Sequence, residues 1–377
     1  MESLKVSRQR LKARRRRVLR LVSLIEEIQN AGYLGREEAT SRQIFPGDYI
    51  ELLLEVDKRD RNFQNYFHEG LRYEYRESRY GSNQFTVFIL SAFHRSMQRL
   101  VDTEVGVWSS QVKNSDNAVQ VKTAAGRIRA TGEAYVPSFT SGKEFIRPDC
   151  SFDYIGGRSY HPPVVFEIAW SQSTENLKKR AIELIQGSTG EIRTVVALDF
   201  SETYKIWSTI RDQVGTEELP SRGPAKAFIW RAMFDENGEQ LFNADGQPSV
   251  QKKNYIFCDN DGNARPRAKL QLSLRDFIPL PVLKTENWDG LEVLSDTKLE
   301  FDSAKMVGYF DEALAAQKKE DEYMKPRKEM VAREKTKVKQ EREAKKRAAA
   351  EKERGQRSIL DMVNIGGHSL HRRARLN

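Results

Sequence analysis

The chain has 377 residues, 38% of them hydrophobic and 10% aromatic, and a net charge of +9. That is enough apolar residue to build a real core in one large or two medium domains, so the chain is globular with extra parts. Its two cysteines, Cys150 and Cys258, are far apart and form no CxxC pair, which excludes a disulfide framework or structural zinc and favours a reducing compartment.

Residues 1–36 read as a basic helical arm. Residues 1–20 carry nine Lys or Arg against one acid, with "KARRRR" at Lys12–Arg17, so Lys12, Arg14, Arg15, Arg16 and Arg17 are candidate nucleic-acid contacts. The apolar run "VLRLVSLI" at residues 18–25 is broken by Arg20 and runs into Glu26 and Glu27. It is too short to span a bilayer and a poor signal-peptide core, and the acids argue against a mitochondrial presequence. The expectation is a nuclear or otherwise intracellular protein, neither secreted nor transmembrane.

After the break "NAGYLG", a domain over residues 37–300 is expected. Its first part, to about residue 105, reads mostly helical: "DYIELLLEVDKR", then "FTVFILSAFHRSMQRLVD", where Phe93, Met97, Leu100 and Val101 share one helix face. His94, beside that face, reads as a core-edge residue rather than a metal ligand. From about residue 115 the period is that of strands, in "AVQVKTAA" and "RIRATGEAYV". Turn signals follow at Asn237-Gly238, Asp245-Gly246 and Asp261-Gly262.

Between these stretches, "PPVVFEIA", "STENLKKRAIELIQG" and "IRTVVALDF" give a strand, helix, strand crossover. The strands "AKAFIWRAMF", "NYIFC" and "KLQLSL" are expected to pair as hairpins over residues 225–275 and suggest no function. Residues 301–355 form a charged segment; from 311 to 354 it has no Gly, one Pro (Pro326), and the make-up of an exposed single helix rather than a coiled coil. Residues 356–377 are a basic tail. There "QRSILDMV" resembles a sliding-clamp-binding peptide in the spacing of Gln356, Ile359 and Met362, but lacks the two aromatics that fill the clamp pocket. Residues 325–377 hold seventeen basic residues against seven acids. With +8 in residues 1–20 and +10 here, the body between carries −9. Two basic ends on an acidic body fit tethering to nucleic acid or nuclear import.

The chemistry is expected at "PVVFEIAWSQST". Glu167 lies in a run built for burial on both faces, where an unpaired carboxylate costs several kcal/mol or becomes neutral. Asp149 stands eighteen residues earlier, in "IRPDCSFDY". If their strands are neighbours the two acids converge, and a hard divalent cation such as Mg²⁺ (or Mn²⁺) would compensate both.

Pro148-Asp149, then Glu167 after "VVF", then a helix and the strand "RTVVALDF" resemble the PD-(D/E)XK nuclease superfamily, in its degenerate branch. The resemblance covers about residues 85–205. It implies an α/β (α+β) restriction-endonuclease-like fold, a mixed central sheet flanked by helices, and hydrolysis of phosphodiester bonds. It also implies metal binding by Asp149, Glu167 and the carbonyl of Ile168. The sequence departs from the pattern at Ala169, where the motif lysine belongs. Lys178, about 60° from the centre of the inward face formed by Leu177, Ala181, Leu184 and Ile185, is the candidate replacement, and Lys179 points to solvent. Otherwise Lys178 is a solvated charge. Ser171 and Gln172 read first as the start of a helix cap, with water or phosphate contact as their functional reading. Glu104 is either an additional acid from the preceding helix or a surface residue.

Two main functions follow: a Mg-dependent nuclease acting on nucleic acid, DNA before RNA, or a catalytically inactive nuclease-fold module that binds nucleic acid through its basic ends. A third, an interaction protein, rests on the long helix and the clamp-like peptide.

Overall fold

The computed structural model describes residues 2–31, 39–76, 83–133, 136–137, 145–157, 159–213, 222–235, 239–286, 288 and 291–373. The chain divides into two compact units, residues 1–319 and 320–377. The break after residue 31 and the Asn237-Gly238 turn lie outside the described residues.

The basic N-terminus is helix α1 (Glu2–Ala31). Its Val18, Leu21, Val22, Ile25 and Ile28 recur every three or four residues and are buried, in one cluster with Leu52 and Val56 of α2 (Asp48–Val56) and Phe63 of α3 (Arg61–Asn65). The arm is therefore half core. Arg17 donates to both oxygens of the buried Asp48 at 2.7 and 3.0 Å, and Arg14 lies 3.4 Å from the same carboxylate. Lys12, Arg15 and Arg16 stay exposed.

The largely helical reading of residues 37–105 is corrected by three antiparallel strands, β1 (Ala39–Ile44), β2 (Arg72–Arg76) and β3 (Asn83–Phe88). In "RYEYR" the period is two: Tyr73 and Tyr75 enter the α1 core, while Arg72, Glu74 and Arg76 face the other way. The helix starts only at α4 (Ala92–Lys113), capped by the hydroxyl of Ser91, which accepts from the amide of His94. "VQVKTAAG" is likewise not a strand but α5 (Val119–Gly126). Val121, Ala124 and Ala125, at helical spacing, pack against α4 and outweigh the β-branched pattern.

β4 (Ile128–Ala130) precedes β5 (Val136–Pro137) and β6 (Phe145–Ile146), which extend the first sheet to the order β1-β3-β2-β6-β5. From β6 the chain passes through Arg147-Pro148-Asp149 directly into β7 (Cys150–Tyr154) of a second sheet. Pro148-Asp149 is thus the crossing between the sheets.

The second sheet is mixed, in the order β11-β10-β9-β8-β7-β4. β8 (Val164–Ala169) pairs antiparallel with β7 and parallel with β9 (Thr194–Asp199); α6 (Thr174–Gly187), capped by Ser173, makes the crossover. Val164, Phe166 and Ile168 face a core with α4, whereas Val165 and Ala169 face α6. Both faces of β8 are covered, as the apolar residues on either side of Glu167 require.

After α7 (Ser201–Gln213), β10 (Ala225–Ala232) and β11 (Val250–Cys258) form the expected antiparallel pair. Gly246 (φ 70°) and Gly262 (φ 78°) sit in the left-handed region, which the Asp-Gly signals anticipate. β12 (Lys269–Ser273) does not join them. Beyond α8 (Leu280–Thr285) and α9 (Leu291–Asp296) it pairs with β13 (Lys298–Asp302) in a two-stranded sheet. The charged segment is α10 (Ser303–Arg373), a helix that continues through Pro326. It runs through the clamp-like peptide, but the side chains of Gln356, Ile359 and Met362 lie outside the described residues. Among the described residues no helix is long and apolar enough to cross a membrane.

Candidate functional site

Asp149, at the mouth of β7, and Glu167, in β8, meet at the seam of the two sheets. They line one cleft of about 560 Å³ with Arg72, Glu74 and Arg76 of β2, and with Asn176, Lys179, Arg180 and Glu183 of α6. His94, Ile168, Ser171 and Gln172 line it too. The convergence expected from neighbouring strands is present, and Ser171 and Gln172 are at the cleft rather than only at a cap.

The sequence reading assigns the compensation of the two carboxylates to a divalent cation; in the structure each is instead buried against an arginine, an arrangement that counts against the hydrolase reading. Arg180 Nε donates to Glu167 Oε2 at 2.7 Å, and Arg72 Nη1 donates to Asp149 Oδ1 at 2.5 Å. All four groups are buried, with exposures of 2% for Glu167, 4% for Asp149 and 6% for each arginine. Arg180 Nη2 also reaches Glu74 Oε1 at 2.6 Å, and Glu74 accepts from the Arg147 amide at 3.0 Å. Both arginines share one further acceptor, the Arg147 carbonyl, at 2.7 Å from Arg72 and 2.5 Å from Arg180. Both stand over the ring of Phe88, at 5.2 and 5.6 Å.

The acids differ in what they accept. Asp149 Oδ2 also takes the Ile168 amide at 2.5 Å. Burial would raise its pKa, but Arg72, His94 and this amide overturn that effect and hold the carboxyl below its ordinary range. Among the described residues, Glu167 Oε1 is buried with no hydrogen-bond partner. Burial, reinforced by the charge of Asp149 and only partly offset by Arg180, pushes Glu167 up to about 8.

Lys178 is exposed and is not among the cleft residues. Positions two apart on a helix differ by about 200°, so Lys178 occupies the flank of α6 opposite Arg180, while Asn176, Lys179 and Glu183 share the cleft flank. The inward face lies where the sequence reading put it, whereas Lys178 is on the flank away from the cleft and Lys179 lines the cleft. Glu104 is also elsewhere, in the middle of α4: its Oε2 accepts from the Tyr309 hydroxyl at 2.5 Å, and it pairs with Lys305. It joins α4 to α10 and does not reach the acids. His94 is more than a core-edge residue, because its Nε2 lies 2.7 Å from the Ile168 carbonyl.

Three residues were missed: Arg72, Glu74 and Arg180. The alternation "RYEYR" signals a strand with a charged face, and Arg180 sits among the inward residues Leu177, Ala181 and Leu184; both signals were available. Their partners were not, being 13 to 106 positions away.

Among the described residues no group of three His, Cys, Asp or Glu side chains is arranged to hold a metal. The donors nevertheless suit a hard cation in kind: two carboxylates, one with an unused buried oxygen, and the adjacent Ile168 carbonyl. Comparison of the chain with protein-family models, with curated proteins and with solved structures gives no match.

Proposed function

We propose that the chain is a metal-dependent nuclease with a PD-(D/E)XK-type core, and that the cleft at the sheet seam is its catalytic centre. The observation that carries this reading is the meeting of Asp149 and Glu167, from adjacent strands, with an oxygen of Glu167 left without a partner. A mixed sheet flanked by helices, with a helix and a parallel strand following the second acid, agrees with what the resemblance implies.

Asp149, Glu167 and the Ile168 carbonyl would hold Mg²⁺ or Mn²⁺, which when bound polarises a phosphodiester and lowers the pKa of a water. The chain's own residues do the rest. Arg72, His94 and the Ile168 amide favour ionised Asp149, which a hard cation needs. Lys179, Asn176, Ser171 and Gln172 border the approach and can meet backbone oxygens. The cation that the motif normally supplies from the Ala169 position is assigned to the cleft flank of α6, Lys179 or Arg180, rather than to Lys178.

Purified protein with supercoiled plasmid and Mg²⁺ tests this: wild type should nick or linearise the DNA, and Asp149→Asn should lower the rate at least about 100-fold. Equal rates for the two would reject the catalytic reading. A second reading, a binding module without chemistry, is favoured by Ala169, which is buried under α6 where a lysine is expected, by Lys178 standing exposed outside the cleft, and by the buried arginine partner of each acid. In that case Lys12, Arg15 and Arg16 tether nucleic acid with a steep salt dependence, and no cation produces cleavage.

A further inference from the structure

We propose that the apolar part of this cleft, walled by Ile89, Leu90 and Tyr204, is a pocket for one unpaired nucleobase, so that the cleft takes single-stranded nucleic acid in preference to duplex. The inference rests on the cleft being a nucleic-acid site, as proposed above, and on neither a metal nor catalysis.

The wall is built before any ligand arrives. Ile89 and Leu90 link β3 to α4, and Tyr204 stands in the first turn of α7. All three are half-buried and line the cleft. Phe93 of α4 stacks on Trp170 at 4.0 Å, and Trp170 meets the Tyr204 ring edge to face at 5.4 Å. Phe93 and Trp170 are themselves buried, so the tyrosine ring is held from behind. A flat ring fixed in this way, beside two aliphatic side chains, suits the face of a base, and stacking on such rings is the main uncharged contact that holds single strands.

The place fits as well. β8 and β9 run parallel, and the residues that follow their carboxyl ends meet at the cleft: Ser171 and Gln172 after β8, Tyr204 after β9. Ligands of α/β sheets sit at that end of the strands. Ser171, Gln172 and Asn176 bring hydroxyl and amide groups that can read the edge of a base.

Charge and size narrow the occupant. Four arginine or lysine side chains and four carboxylates line the cleft, so it has little net pull on a phosphate backbone. The attraction it does offer is stacking and hydrogen bonding. Its volume of about 560 Å³ is in the range that holds one small ligand, roughly a nucleotide. A duplex hides the faces of its bases in the stack, whereas a single strand can turn one out. Supercoiled plasmid stays a substrate under this reading, because its underwound stretches open.

The test uses the full chain in EDTA and three fluorescent probes read by anisotropy: a short single-stranded DNA, the same strand made of abasic sites, and the duplex. Wild type should bind the single strand at least about 10-fold tighter than either of the others. In Tyr204→Ala the preference over the abasic strand should fall below about 2-fold, with duplex affinity unchanged, while Tyr204→Phe keeps the preference. A merely structural role for Tyr204 would instead weaken all three probes alike. If Tyr204→Ala does not fold, Tyr204→Leu retains an apolar contact with Trp170 but removes the flat ring, and loss of the preference there carries the same meaning. No preference in wild type, a preference that survives both substitutions, or duplex bound as tightly as single strand overturns the proposal. Base-dependent binding without cleavage of plasmid rejects only the catalytic reading, and cleavage without base-dependent binding rejects only this pocket.

Discussion

Asp276 and Glu167 are both buried acids paired to an arginine, and they are finished differently. Asp276 accepts from Arg231 Nε and Nη2 at 2.8 and 3.1 Å, from Thr194 Oγ1 at 3.0 Å, and from the amide and hydroxyl of Ser273 at 2.8 and 3.1 Å. Burial alone would raise its pKa, yet Arg231 and the Ser273 amide bring it below the ordinary value. Glu167 has Arg180 on one oxygen and, among the described residues, nothing on the other, and burial pushes its pKa up. A structural ion pair fills its acceptors because each unfilled one costs stability. Of these two acids the one in the cleft leaves an acceptor unfilled, a feature it shares among the described residues with Asp102 of α4, which lies outside the cleft.

If that contrast is sound, the largest effect belongs to Asp276. Asp276→Ala strands Arg231 and Thr194 and should cost about 3–5 kcal/mol in urea unfolding. A loss under about 1 kcal/mol would break the comparison. The same acid sets a pH limb. Its folded pKa lies below the 3.8 of a free Asp, so its stabilisation is complete above that value and is lost as pH falls through the folded pKa, where the unfolded chain binds the proton first. Asp276→Asn should therefore show a shallower decline in melting temperature below about pH 4 than wild type does.

Glu167→Gln should be far milder, costing less than about 1.5 kcal/mol, because the amide oxygen still accepts from Arg180, which also keeps Glu74. A penalty equal to that of Asp276→Ala would show both acids to be equally structural. Smallest of all, Lys178→Ala should stay within about 0.5 kcal/mol of wild type and leave plasmid cleavage unchanged. Lys179→Ala, on the cleft flank, should reduce the salt slope of DNA binding by about one.

What could be read from sequence was local and periodic. The crossover from Val164 to Asp199 was legible because two unbroken apolar runs flank an amphipathic helix with a serine cap. The meeting of Asp149 and Glu167 followed once their strands were taken as neighbours. The first sheet was not legible, because β3 runs into α4 across only Ile89, Leu90 and Ser91, and one apolar stretch covers both. "VQVKTAAG" misled for the opposite reason: its valines alternate, but packing against α4 decides its shape. Arg180, which compensates Glu167, lies on the next helix and was within reach of a sequence reading; that it also serves Glu74 was not, since Glu74 comes from another sheet.

That borrowing limits how far the site can be treated as a portable unit. A fragment of residues 92–319 would keep both acids on their own strands, yet it would lack Arg72, Glu74 and the aromatic floor of Phe88. The Arg147 carbonyl would then answer to a single guanidinium. Transplanting or trimming the second sheet would thus leave Asp149 without its guanidinium and Arg180 with Glu167 as its remaining carboxylate partner among the described residues.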